Sequence, residues 1–250
     1  QATSPGKSSP SAAGSVPMPE QEDSPLWWPI TRLREAFRRG ELSPVEVLEE
    51  TLARIARFNP SLNAYLDCLD EQAREQAKTA ERLFRKPTVE IPPLCGIPIS
   101  IKDTFELAGS ITTYGSALYR ENRTEQDCGL VKRLRAAGAV FPGKTNAAEF
   151  GQSATTDNRL GDDARNPWDT SHTPGGSSGG AAASVAAGLA TAGHRRGWRR
   201  LDPDSCCILG LVRHQTHLRT LLQREKFSGD VGLHRARPAH PLCGGRSKHP

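Results

Sequence analysis

Thr173-Pro174-Gly175-Gly176-Ser177-Ser178-Gly179-Gly180, running directly into Ala181-Ala182-Ala183-Ser184-Val185-Ala186-Ala187-Gly188, is the stretch around which the chain is organised. Four glycines bracket two serines. Glycine tolerates positive φ and lets another backbone approach closely, so such a turn can hold Ser177 and Ser178 in a tight, strained bend. Ala181–Ala187 is strongly helix-forming, and Gly188 stands where a C′ glycine ends a helix. A serine at a helix N-terminus faces backbone N–H groups that favour anions. The composition alone also fits a flexible Gly/Ser linker. The alanine helix that follows without a spacer argues against that reading.

Working upstream, Ile97–Ile101 is short, β-branched and proline-flanked, and it reads as a strand entering the core. Lys102 and Asp103 follow at its C-terminal end. A lysine there is either a surface terminator or a base. Burial disfavours the ammonium form, as a general base requires, and Asp103 is in a position to orient it. Further on, Leu130–Ala137 is a basic amphipathic helix closed by Gly138, with a small strand expected over Ala139–Phe141. Gly138-Ala139-Val140-Phe141-Pro142-Gly143-Lys144-Thr145 fits the Walker A expression letter for letter. A P-loop needs its strand before the first glycine and its loop after it. Here a helix precedes Gly138, the strand falls inside the supposed loop, and Pro142 removes an N–H, so nucleotide binding is rejected. In the Arg165–Asp169 loop, Trp168 reads as a packing anchor.

The N-terminal part is helical scaffold. Ile30, Leu33, Ala36 and Phe37 give Ile30–Arg39 a helical period that Gly40 ends. Ser43 caps a second helix that opens with Pro44, carries Val47, Leu48, Leu52, Ile55 and Ala56 on its apolar face, and stops at Asn59-Pro60. Glu71–Arg85 is a charged third helix with a thin apolar stripe of Ala73, Ala77, Ala80, Leu83 and Phe84. Residues 1–26, rich in Ser, Pro and Gly at their start, are expected to be disordered.

Several of these stretches, in this order, resemble the amidase signature family of amide hydrolases. The resemblance is carried by Gly96-Ile97-Pro98-Ile99-Ser100-Ile101-Lys102-Asp103, Thr113-Tyr114-Gly115-Ser116 and Gly138-Ala139-Val140-Phe141-Pro142-Gly143-Lys144-Thr145-Asn146. Glu149-Phe150, Asn166-Pro167-Trp168-Asp169 and the serine-glycine turn complete it. It implies an α/β fold, a mixed β-sheet flanked by helices, here truncated, with residues 27–192 forming the N-terminal part of the domain. It also implies hydrolysis of a small-molecule carboxamide without a metal or an organic cofactor. In the family a lysine and a cis-peptide serine serve a nucleophilic serine. Lys102 matches the lysine and Ser177 the cis-serine, with Asp103, Gly175, Gly176, Ser178, Gly179 and Gly180 supporting the loop. The nucleophile is expected about two dozen residues after Ser177, where Leu201 stands. One component of a tRNA-dependent amidotransferase carries the same motifs and is the alternative, beside a non-catalytic binding remnant.

A break in charge accompanies the mismatch at Leu201. The chain of 250 residues has net charge +5, yet 12 Lys/Arg against 4 Asp/Glu lie from Gly193 onward, with six of the seven histidines. Codons for Gly193–Ser205, shifted by one base, can yield Gly-Thr-Asp-Gly-Gly-Gly-Ala-Gly-Ser-Ile-Arg-Ile-Pro. That is close to the family's Gly-Thr-Asp-Gly-Gly-Ser-Ile-Arg, and the serine codon overlaps that of Leu201. Residues 193–250 therefore read as a basic tail out of frame and disordered, which leaves the chain inactive. Its arginines show no helical or repeat logic, which argues against a nucleic-acid partner. Cys206-Cys207 lack the spaced partners of a zinc site. No secretory segment and no run of 18 apolar residues is visible, and scattered Cys68, Cys95 and Cys128 suit reduced thiols, so a cytoplasmic protein without membrane contact is expected. Oligomeric state is not legible.

Overall fold

A capping residue and an apolar face define each of the first helices of the computed structural model, which describes residues 24–86 and 90–193. Ser24 caps a single 3₁₀ turn, Pro25–Trp27, and Leu26 is buried beneath it. Residues 24–26 thus carry a cap and an apolar anchor at the end of the segment expected to be disordered up to residue 26. Residues 1–23 of that expectation, and the tail from 194 to 250, lie outside the described residues. Helix α1 (Ile30–Arg39) buries Ile30, Leu33, Ala36 and Phe37 and closes on Gly40 at φ +68°. Helix α2 (Pro44–Leu62) opens with a reciprocal cap: Val45 N–H donates to the Ser43 hydroxyl, and Ser43 N–H donates to the Glu46 carboxylate.

Helix α2 does not stop at Asn59-Pro60. A proline in the last turn removes a single N–H bond, and the helix runs on to Leu62, where Asn63 at φ +47° ends it. The Asn59 side chain instead guides the chain out of the helix. Its amide donates to Tyr65 O (3.1 Å) and its carbonyl accepts from Tyr65 N–H (2.7 Å). These bonds start β1 (Tyr65–Cys68), a strand that reading a stop at Pro60 conceals. Helix α3 (Asp70–Phe84) buries Ala73, Ala77 and Ala80 of the expected stripe, while Leu83 and Phe84 are only half-buried.

Strands β2 (Ile99–Lys102), β3 (Gly143–Thr145) and β4 (Ala192–Gly193) complete a sheet ordered β1-β3-β2-β4. The β1–β3 pair is antiparallel and the other two pairs are parallel. The fold is therefore mixed α/β, with helix α4 (Gly129–Ala136) leading into β3 and helix α5 (Gly179–Ala186) packed on β2 and β4. The strand expected over Ala139–Phe141 is displaced. Val140 makes only an isolated bridge with Pro98, Pro142 has no N–H to donate, and the parallel ladder with β2 resumes at Lys144, opposite Ile101. Lys144 of the Walker-like stretch thus sits in a strand rather than in a phosphate loop.

The pleat of β2 sorts its residues. Ile99 and Ile101 enter an apolar cluster with Leu33, Phe37 and Phe141. Ser100 and Lys102 point to the opposite face, where Ser100 Oγ meets Ser184 Oγ of α5 at 3.2 Å. Among the described residues no helix is long and apolar enough to cross a membrane.

Candidate active site

Lys102 and Ser177 are 75 residues apart in sequence and meet because β2 and the start of α5 share a face. Lys102 Nζ donates a 2.8 Å hydrogen bond to Ser177 Oγ. The lysine is 1% exposed, whereas Ser177 is half-buried at the surface of its turn. The Gly176–Ser177 peptide is cis, as the resemblance implies. Ser177 O accepts from Ala148 N–H at 3.1 Å, tying the turn to the segment after β3.

The glycines of the turn are set by close approach. At Gly176 an added Cβ would lie 2.5 Å from Thr155 O, and at Gly180 it would lie 2.5 Å from the backbone N and O of Asn146. No side chain fits at either position. Gly175 has φ +82°, and Gly179 packs against Thr156. Ser178, 2% exposed, is the N-cap residue of α5, and its carbonyl accepts from Ala182 N–H. It is packed inward, whereas Ser177 meets Lys102.

Two residues here escape sequence reading. Thr156 Oγ1 donates to Gly175 O (2.8 Å) and accepts from Gly179 N–H (2.9 Å), a staple across the serine turn. Gly151, at φ +72°, backs the pair: a Cβ there would sit 3.6 Å from Ser177 Oγ and 3.9 Å from Lys102 Nζ. Gly151 directly follows the quoted Glu149-Phe150, which was the available signal. Thr156 offers none.

Asp103 is held by a different lysine. Its carboxylate pairs with Lys144 Nζ at 3.0 Å and accepts from Thr113 through both its N–H and its hydroxyl. Lys144 also donates to Thr112 Oγ1 (2.7 Å) and Ile111 O (3.3 Å). Burial holds the Lys144 amine below the ordinary lysine range, opposed by the Asp103 charge. Backbone bonds from Asp103 N–H to Thr145 O and from Tyr114 N–H to Asp103 O fix the bend just after Lys102. The carboxylate therefore anchors the end of β2 through a neighbouring strand. Leu201, where the nucleophile is expected, lies outside the described residues. Trp168 is 47% exposed, so the packing anchor of its loop is the buried Asn166-Pro167 pair instead. Among the described residues no group of three His, Cys, Asp or Glu side chains could hold a metal ion.

A mixed sheet thus places a lysine at the end of one strand, facing a serine on a glycine-built turn. The sequence profile of the Amidase family matches residues 46–194, and the chain belongs to that family. It is 42% identical over 185 residues to a glutamyl-tRNA(Gln) amidotransferase subunit from Roseiflexus sp. (strain RS-1), covering 73% of this chain and 38% of that protein. Among solved structures it is similar to 6-aminohexanoate cyclic dimer hydrolase, with TM-score 0.60 and 38% identity over 67% of this chain and 33% of that one. The peptide amidase of Stenotrophomonas maltophilia has TM-score 0.60 and 34% identity, covering 70% and 36%. The chain spans about a third of the length of the curated relatives it matches.

Proposed function

We propose that this chain is the N-terminal part of an amidase that hydrolyses a carboxamide to a carboxylate and an amine or ammonia. The observation that carries the reading is the 2.8 Å bond between Lys102 Nζ and Ser177 Oγ. The reacting form is the neutral amine. Lys102 takes the Ser177 proton while Ser177 takes that of a nucleophilic serine, whose oxygen attacks the amide carbon. The proton then returns along the same path to the leaving nitrogen. Water attacks the resulting acyl ester and restores the serine. This is triad logic recognised by roles, with lysine as the base.

On this reading the nucleophile belongs at position 201, where the present frame encodes Leu201, and residues 193–250 are out of frame. The chain then turns over no amide faster than its Lys102→Ala variant. Correcting one base after the codon for Ala192 returns a Gly-rich segment and its serine. The test is labelling of the frame-restored protein with a serine-reactive phosphonate, followed by mass mapping. An adduct on the restored serine supports the assignment. An adduct on Ser177 or Ser178 of that protein contradicts it.

The identity with a glutamyl-tRNA(Gln) amidotransferase component favours a second reading, in which the amide nitrogen passes to a charged tRNA in a complex. Partner proteins copurifying with the frame-restored protein separate it from a free-standing amidase.

A further inference from the structure

We propose that the chain as it stands is a self-acylating protein: Ser177 accepts an acyl group from an activated ester and passes it to Lys102. The proposal rests on the reading of Lys102 as base, but it needs no serine at position 201. Three observations carry it. Lys102 Nζ and Ser177 Oγ are already in contact at 2.8 Å, so a base adjoins a hydroxyl. Ser177 is half-buried, while Ser178 is 2% exposed, which leaves one of the two serines for an incoming ester. The pair is also held from three sides, by the β2 ladder under Lys102, by the Thr156 staple across the turn, and by the Gly151 backbone. A prepositioned base–hydroxyl pair gains the advantage of an intramolecular reaction before any substrate pocket is complete.

The acyl donor is an ester with a good leaving group, an aryl ester or thioester. In the first step the Ser177 Oγ–carbonyl carbon bond forms and the bond to the aryloxide or thiolate breaks. The leaving group departs with the electron pair, and the serine proton goes to Lys102 Nζ and from there to solvent. In the second step the neutral Lys102 nitrogen, next to the new ester, attacks its carbonyl carbon. The C–N bond forms, the C–Oγ bond breaks, and the proton from nitrogen returns to Ser177 Oγ. An ester becomes an amide, so the transfer runs downhill and ends with Nζ-acyl-Lys102 and a free Ser177. Each chain reacts once. A carboxamide is a poor donor here, because its nitrogen must be protonated before it can leave and a single acylation consumes the base.

The experiment uses the whole 250-residue chain and p-nitrophenyl acetate, followed by peptide mapping over time and by hydroxylamine, which cleaves esters and spares amides. Early acetyl should be on Ser177 and hydroxylamine-labile, and late acetyl should be on Lys102 and resistant. Lys102→Ala should slow Ser177 acetylation by about a hundredfold, the scale of general-base assistance. Ser177→Ala should abolish acetylation of Lys102, while Lys78→Ala, at an exposed surface position, changes neither. Acetylation no faster than in the urea-unfolded chain overturns the proposal, and so does Lys102 acetylation that persists in Ser177→Ala. Rapid Ser177 acetylation unchanged in Lys102→Ala removes Lys102 as the base and takes the amidase assignment with it. No Ser177 acetylation here, beside Lys102-dependent amide turnover by the frame-restored protein, removes this proposal alone.

Discussion

Two lysines lie inside the molecule on adjacent strands, and their partners differ in chemistry. Lys102 at the end of β2 and Lys144 in β3 are 1% and 0% exposed, so burial does not distinguish them. Lys144 faces a carboxylate: Asp103 lies at 3.0 Å, with Thr112 and Ile111 filling other donor positions. Its bonds are those of a satisfied structural cation. Lys102 gives its 2.8 Å bond to the Ser177 hydroxyl, a group that gains reactivity by losing a proton. The difference teaches that a buried amine is read by its partner's chemistry rather than by its depth.

Removing one member of the structural pair should produce the largest loss. Lys144→Met leaves the Asp103 carboxylate buried without its cation, a change that typically costs about 3–5 kcal/mol. Urea unfolding should show that loss, with most of it recovered when Asp103→Leu is added. If Lys144→Met is as stable as the parent, the pair is not the anchor described above.

A smaller loss is expected where the serine turn joins the sheet. Gly180→Ala would push a methyl into the Asn146 backbone, and overpacking against atoms that cannot swing aside costs about 1–3 kcal/mol. Gly161→Ala, with nothing within 4 Å, should leave the unfolding midpoint unchanged. Equal effects at the two glycines would remove close approach as the reason for Gly180.

Lys102→Met should cost less stability than Lys144→Met, because its partner at Ser177 is a neutral hydroxyl rather than a buried carboxylate, while removing reactivity at Ser177. A loss matching that of Lys144→Met would erase the contrast between the two lysines.

The subtlest signature is in pH. Burial lowers the folded-state pKa of Lys144 below the ordinary 10.5, so between those values the unfolded chain binds more protons than the folded one. Stability contributed through this group therefore rises with pH across that window and levels off above it. Urea unfolding at stepped alkaline pH should show the rise in the parent and not in Lys144→Met/Asp103→Leu. Parallel profiles would contradict the assignment.

The same pair of lysines shows what was legible in the sequence. The order of elements around Gly138 excluded a P-loop, but only coordinates reveal that Lys144 answers Asp103 across two strands. Lys102 and Ser177 were recognisable through motifs that resemble a family, and pattern alone left Lys102 as either a base or a strand terminator. The caps at Ser43, Gly40 and Gly188 were readable because local chemistry fixes them. Strand β1 was hidden because Pro60 looked like a stop, whereas Asn63 ends the helix and Asn59 bonds to Tyr65. Thr156 and Gly151 act through close approaches between segments distant in sequence, to which no periodicity points.

The central claim is that Lys102 and Ser177 act as one proton-transferring unit, and amide turnover by the frame-restored protein tests it most directly. The comparison is between Lys102→Ala, Ser177→Ala and the double variant. Each single change should lower kcat/KM by about a thousandfold or more, and the double variant should be no worse than either, because residues relaying one proton are not additive. Multiplying losses, or a Lys102→Ala variant that keeps its rate, would contradict the account.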